Sequence, residues 1–339
     1  MQRLSITIVG GGILGLWQAL VLARRGHDVR LFEAAEESQS GAASRIAGAM
    51  LAPDCEAEQA DPIVRELGRR GLSLWREVDA NITSRGTLVV AMKRDQSDLR
   101  RFADRTGNCR WVGDDVISAL EPDLAGRFAS GLYFPDEAHM APREAICALI
   151  GHARRLGAVL RFSSPVPQPV WMAAAAGELV IDCRGIAARS ALEELRGVRG
   201  EMAVVEAPGV ALSRPLRLLH PRAPIYIVPW GGNRYMIGAT VIETDWTGPV
   251  TLRSALDLLS TATTVHDEFR DARVVEMSAG VRPAFADNVP KIRWQGRCLS
   301  VNGAFRHGFL LAPGLAEIVA DHLERATALP PELEGKRTS

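Results

Sequence analysis

LSITIVGGGILGLWQALVLARRGHDVRLFE, residues 4–33, is the stretch whose reading decides the fold. Leu4 to Val9 is short, apolar and β-branched, the pattern of a buried strand. It runs without a break into Gly10-Gly11-Gly12-Ile13-Leu14-Gly15. Leu16, Leu20 and Ala23 then recur at helical spacing up to Arg25, and Gly26 stands where a helix C-cap is expected. Asp28 to Phe32 reads as a second strand, stopped by Glu33. Each glycine has its own use. Gly10 permits the tight turn, Gly12 lets the backbone approach a pyrophosphate, and Gly15 allows the helix to pack closely on the strand. The helix N-terminus offers its free N–H groups to the phosphates. Glu33, at the end of the second strand, is placed to accept hydrogen bonds from ribose hydroxyls, and it would repel a phosphorylated ribose. Strand, turn, helix, strand and acid in register predict an adenine dinucleotide other than NADP. The turn alone leaves NAD and FAD both open.

Further along the chain the balance shifts. A continuous series of strand–helix units does not follow. Residues 38–53, SQSGAASRIAGAMLAP, form a loop of small residues suited to close backbone approach to something flat or anionic. A helix is predicted over Asp61 to Val78, a strand over Thr87 to Met92, a charged helix over Asp95 to Thr106 and a helix over Pro142 to Leu156, opened by its proline. Strands are predicted over Val159 to Phe162 and Glu178 to Cys183, and several short ones between Gly200 and Ala239. Helices over Leu252 to Thr261 and Gly314 to Leu323 bracket SAGVRPAF (278–285) and NGAFRHGFLLAP (302–313). Strand–helix units at both ends with a strand-rich block between them predict a discontinuous α/β nucleotide domain carrying an inserted sheet. Its segments are 1–80, 140–198 and 270–330; the inserted substrate domain takes 81–139 and 199–269, and 331–339 is read as a flexible tail. The 41–53 loop and the split domain favour FAD over NAD.

Composition excludes other classes. The chain has 339 residues, enough for two domains, and 47% are apolar, so a large core is possible. Formal net charge is zero and the arginines are scattered, which argues against a nucleic-acid partner. The five cysteines are odd in number and have no Cys-x-x-Cys pair, against a disulfide framework or a zinc or iron–sulfur site. Reduced thiols fit a cytoplasmic location. No apolar run reaches the ~18–20 residues of a membrane helix, and a first strand beginning near Leu4 leaves no room for a signal peptide. His220 and His266 have no partners at metal-ligand spacing, so no metal is expected.

Taken in order, the GGGILG turn with Glu33, the AGAML loop, the IYIVP strand (225–229), the MIGAT strand (236–240), the AGVRP segment and FRHGFLLAP resemble the D-amino-acid oxidase superfamily, and within it the glycine oxidases of thiamine biosynthesis. The resemblance spans nearly the whole chain. It implies an FAD-binding Rossmann-like domain of the glutathione-reductase type with an inserted mixed or antiparallel sheet. It implies oxidation of an amine to an imine, with oxygen as acceptor and hydrogen peroxide as product. Carried over residue by residue, it implies FAD contacts at Gly10, Gly12, Leu14, Gly15 and Glu33. Ala43, Ser44, Gly48, Ala49 and Met50 would lie along the pyrophosphate and the flavin ring, and Val166 near the adenine. The turn Ala304, Phe305, Arg306, His307, Gly308, Phe309 and Leu310 would close over the flavin's pyrimidine end. Tyr226, Arg282, Arg306 and Met50 would line the substrate site, with Met236 as a further wall. No cysteine lies near Phe305 to Leu310, so FAD is expected to be non-covalent. Pro224 stands where some members carry a histidine. The resemblance also brings in thiazole synthase as a partner and a homo-oligomer as an assembly.

The expected chemistry follows from the substrate. An amino acid offers a carboxylate, an amine and a Cα–H. Arg282 suits the carboxylate, because a guanidinium binds it in two places and stays charged. Tyr226 can donate a second hydrogen bond, and two anchors at one end orient the Cα–H toward the flavin. No general base is nominated: the flavin carries the chemistry once the amine is neutral. The alternatives are a D-amino-acid oxidase or dehydrogenase of broader specificity, or a flavoprotein acting on a protein partner.

Overall fold

The computed structural model describes residues 3–38, 41–78, 81–167 and 178–335. Two large sheets carry the architecture. In the first, β1 (Ser5–Val9) is flanked in parallel by β2 (Asp28–Phe32) and by β9 (Leu179–Asp182). Parallel β8 (Val159–Arg161) extends it beyond β2, and β16 (Cys298–Asn302) beyond β9, where antiparallel β15 (Lys291–Gln295) completes it. Helix α1 (Ile13–Arg24) is buried almost all round. It packs against α6 (Pro142–Arg155) and α8 (Gly308–Arg325), as expected for the crossover helix of a parallel unit.

The second sheet has eight strands, in the order β14-β10-β13-β12-β11-β4-β6-β5. They are β4 (Thr87–Ala91), β5 (Arg110–Gly113), β6 (Ser130–Phe134), β10 (Arg196–Glu206), β11 (Leu216–Leu219), β12 (Ile225–Pro229), β13 (Arg234–Gly238) and β14 (Arg273–Ala284). Only β4 and β11 pair in parallel, so the sheet is mixed. A short antiparallel pair, β3 (Met50–Leu51) and β7 (Ala138–His139), lies apart from both sheets. The remaining helices are α2 (Pro53–Glu56), α3 (Pro62–Trp75), α4 (Gln96–Thr106), α5 (Asp114–Leu120) and α7 (Leu252–Val265). Among the described residues, no helix is long and apolar enough to cross a membrane.

Strand pairing draws the division differently from the sequence in one place. Residues 270–330 were expected to lie wholly with the nucleotide part. Instead Arg273–Ala284 runs antiparallel along β10 and forms an edge of the second sheet. Nothing local marks this strand, because its order comes from cross-strand pairing with a distant segment. The end of the chain also differs. Leu333 is fully buried, Ile292 N–H donates to Leu333 O at 2.8 Å and Gly335 N–H to Ile292 O at 3.2 Å. One apolar side chain with two backbone bonds therefore anchors 331–335, where a flexible tail was expected; 336–339 lie outside the described residues.

Helix α8 begins at Gly308, six residues before the predicted start, and carries Pro313 inside it. A proline has no N–H for the carbonyl four residues back, here that of Phe309. Trp75 Nε1–H donates to that carbonyl at 2.7 Å. The helices approach closely enough that a Cβ at Gly71 would lie 2.0 Å from Leu310 O. Trp75 also stacks on Phe309, ring centroids 5.9 Å apart, and meets Trp17 edge-on. Trp75→Phe leaves the Phe309 carbonyl without a partner, and the expected loss is about 1–3 kcal/mol of unfolding free energy, read from urea midpoints. An unchanged midpoint would mean that the bond adds nothing to the stability of α8.

Candidate active site

A cavity of about 680 Å3 is lined by strands of the second sheet and by turns that follow strands of the first. Its size is that of a cofactor or ligand site. At one end lies the glycine turn. Gly10 has φ +102°, and a Cβ there would sit 2.6 Å from Cys183 O. A Cβ at Gly15 would sit 1.8 Å from Gly10 O. Gly15 thus serves helix–strand packing and does not line the cavity. Nor does Val166, which packs with Val9, Val180 and Cys298. Gly12 is different. A Cβ there would meet no protein atom closer than Ser44 Oγ at 3.5 Å. The fold itself does not require a glycine at that point, whereas a ligand pressed on the backbone does.

Two helices begin at this cavity. α1 starts at Ile13 and α8 at Gly308; neither N-cap residue caps its helix with its own side chain, neither helix has an acid in its first turn, and Ile13, Leu14 and Gly308 to Leu310 line the wall. Ile13 N–H donates to Ser44 Oγ at 3.1 Å, tying the small-residue loop to the turn. The N–H groups of two helix starts form a wall suited to phosphate and to a polarised carbonyl oxygen. Glu33 lines the same cavity. Its Oε2 accepts from Gly11 N–H at 2.5 Å and its Oε1 from Ala35 N–H at 2.8 Å. Each oxygen keeps a lone pair for a ribose hydroxyl. These donors and acceptors fit an adenine dinucleotide. Of the residues assigned to FAD from the resemblance, all except Gly15 and Val166 line the cavity: Gly10, Gly12, Leu14, Glu33, the 43–50 loop members and 304–310.

The other end is cationic. Tyr226 on β12, Arg282 on β14, Arg306 and Met50 all line it, brought together from segments far apart in the chain. Glycines clear the space. A Cβ at Gly200, on the neighbouring strand, would lie 2.0 Å from Arg282 Nη2, and one at Gly48 would lie 3.0 Å from Tyr226 Cε2. Arg282 Nη1 donates to Thr240 O at 3.1 Å, which fixes one edge of the guanidinium. Burial pulls the Arg282 pKa below the ordinary arginine value, against the pull of Tyr226 and Glu56, yet arginine remains charged near neutrality. Met236 is not in the wall. It packs beneath with Val204 and Val228, and Met202 from the same cluster reaches the cavity instead.

Glu56 belongs to this end and was not anticipated. Its carboxylate lies 3.5 Å from Arg306 Nη2 and 3.5 Å from His307 Nδ1. Burial alone would raise its pKa; the charges of Arg306, His307, Arg217 and Arg282 overcome this and bring it to about 2. Burial pushes His307 down to about 4, Glu56 opposing, so its imidazole is neutral at pH 7. Arg306, expected at the substrate, is thus held first by a carboxylate. Glu56 ends the four-residue α2. Its start is fixed by Glu137, whose Oε1 accepts from Asp54 N–H at 3.1 Å and Cys55 N–H at 2.7 Å. One acid among Asp54, Glu56 and Glu58 carries no local signal; only its closeness to Arg306 in space does.

Residues 5–322 match the family described as DAO, FAD dependent oxidoreductase. The chain belongs to this family of FAD-dependent oxidoreductases. Its cofactor is therefore FAD, and the cavity between the glycine turn and Arg282 is where such a cofactor fits. A protein of Rhizobium etli named "Putative thiamine biosynthesis oxidoreductase ThiO" is 48% identical over 94% of this chain and 96% of its own length. The "Bifunctional protein ThiO/ThiG" of Trichormus variabilis is 27% identical over 94% of this chain, and the match takes 52% of that longer protein. The crystal structure of glycine oxidase from Geobacillus kaustophilus superposes with a TM-score of 0.80 at 25% identity, covering 96% of this chain and 95% of that one. The α/β architecture with its mixed second sheet is that of these flavoenzymes.

Proposed function

We propose that the chain oxidises glycine, and other small amines, to the imine, which water hydrolyses to glyoxylate and ammonia or which is handed to thiazole formation in thiamine biosynthesis. The observation that carries this reading is the Arg282 guanidinium, held by Thr240 O in space cleared by Gly200, beside Tyr226 at one end of the FAD cavity. The names of the relatives, glycine oxidase and ThiO, support it.

Bound FAD would supply the acceptor for the hydride, which carries both electrons, with oxygen as the final acceptor and hydrogen peroxide as product. The protein binds and orients. Arg282 takes the substrate carboxylate, and Tyr226 donates to the same group. Met50 and Met202 form an apolar wall that keeps the substrate small and excludes water. The amine must be neutral when the Cα–H leaves. With Glu56 held by Arg306 and His307, no side chain is assigned as its base. Thiazole synthase is the natural recipient of the imine, a reading supported by the fused relative. The free cysteines fit a reducing cytoplasm. A homo-oligomer is part of the same proposal.

An anaerobic screen tests it. Glycine should bleach the flavin of the purified protein without oxygen and release peroxide with it. If glycine leaves the flavin oxidised while D-proline or D-alanine reduces it, the chain is a D-amino-acid oxidase instead. If no small amine reduces it and a protein partner co-purifies, the substrate is that partner.

A further inference from the structure

The Arg306–Glu56 pair has a consequence for which amines can enter. We propose that Glu56 is a specificity-determining residue: by holding Arg306, it leaves Arg282 as the cation for one carboxylate and excludes amines that carry two. The inference rests on the reading of this cavity end as a carboxylate site.

The charges facing the cavity at this end, among the described residues, are Arg282, Arg306 and Glu56, with His307 beside them. They leave one positive charge in excess, which one substrate carboxylate balances. Glu56 and Arg306 are 3.5 Å apart with side chains only 17% and 20% exposed, so water screens the pair weakly. A second carboxylate would have to displace Glu56 from Arg306 and lie against its negative charge. Glu56 does not swing away freely, because Glu137 grips the backbone at Asp54 and Cys55. Arg217, a further cation acting on Glu56, is engaged by Glu58 at 3.3 Å. A competing role, with Glu56 accepting from the substrate's amine, makes the opposite demand: its loss would weaken amines and leave simple carboxylates alone.

Ligands without an amine separate the two. Acetate and malonate are titrated by calorimetry into the FAD-loaded protein, its Glu56→Gln variant and the Glu56→Gln/Arg306→Gln double variant. Glycine and iminodiacetate turnover are measured beside them. The wild type should favour acetate. Glu56→Gln should tighten malonate by about tenfold, since a charge-assisted contact is gained, and acetate by less than about threefold. The double variant should lose the gain, and iminodiacetate turnover should follow malonate. Malonate binding that is unchanged or weaker in a Glu56→Gln variant with a normal flavin spectrum overturns the proposal. If Glu56→Gln does not retain FAD, Glu56→Asp, which draws the carboxylate back by one methylene, should shift the same ratio in the same direction; an unmoved ratio again overturns it. Neither acid is oxidised, so the binding ratio is read whether or not glycine reduces the flavin. A wild type that glycine fails to reduce sinks the proposed reaction and leaves this inference to its own measurement.

Discussion

Arg282→Ala should keep FAD and lose glycine. Loss of a buried charge-assisted carboxylate contact costs ~2–5 kcal/mol, which is roughly 30- to 4,000-fold in kcat/KM at a tenfold per 1.4 kcal/mol. FAD should stay because the glycine turn, Glu33 and the helix starts line the cavity with groups of their own, which do not depend on the Arg282 guanidinium. The loss is large because the surroundings are built around this side chain. Gly200 leaves the gap that the guanidinium fills, and Thr240 O holds its Nη1. Tyr226 remains, but a hydroxyl alone offers one neutral hydrogen bond where two charged ones stood. Arg282→Lys should recover part of the affinity at most, since a point charge does not reproduce the two-point contact. Acetate titration of the FAD-loaded variants reads the effect without turnover. Unchanged acetate affinity and an unchanged Michaelis constant for glycine would remove Arg282 from the site.

Glu137→Gln should change how stability depends on pH. Glu137 is fully buried, and burial pushes its pKa up to about 8, with Asp54 adding to the rise and Thr87 and Cys55 opposing it. Between an ordinary value of 4.5 and about 8 the folded chain holds a proton that the unfolded chain has lost, so stability falls as pH rises through this window. The buried His139 and His307 work in the other direction. Burial lowers both from 6.5 to about 4, so between these values the unfolded chain binds protons that the folded chain refuses, and stability rises with pH. The two histidines outweigh the one carboxyl below pH 6.5, and the carboxyl acts alone above it. Stability should therefore peak near pH 6.5. An uncharged amide keeps the acceptor for Asp54 and Cys55 N–H and removes the titration. Glu137→Gln should then gain on the order of 3–5 kcal/mol over the wild type at pH 8.5 and about 2 kcal/mol at pH 6. Urea midpoints from pH 6 to 8.5 decide it; a variant that declines in parallel with the wild type would assign the alkaline loss to another group.

Much of the cofactor end was legible because its signals are local. Gly10, Gly12, Gly15 and Glu33 lie within one strand–helix–strand unit, and that unit sits inside the six-stranded sheet. Spacing also gave Gly15 to helix–strand packing, and a Cβ there would lie 1.8 Å from Gly10 O. Pro313 shows a limit. A proline reads as a helix boundary, yet α8 runs through it because Trp75, from another helix, bonds the carbonyl that the proline leaves free. The long strand β14 was hidden for a related reason: β10 supplies its order across the sheet.

From its sequence alone, this chain determines a dinucleotide turn, a split α/β domain and a pair of arginines worth watching, because turn geometry and periodic burial act between near neighbours in the chain. Tertiary structure alone decided what those arginines do to each other. Arg282 is cleared by Gly200 and turned to the cavity, while Arg306 is held by Glu56. Coulomb interactions act over ångströms of space and are indifferent to sequence separation, so the charge the site offers a substrate exists only once the chain is folded.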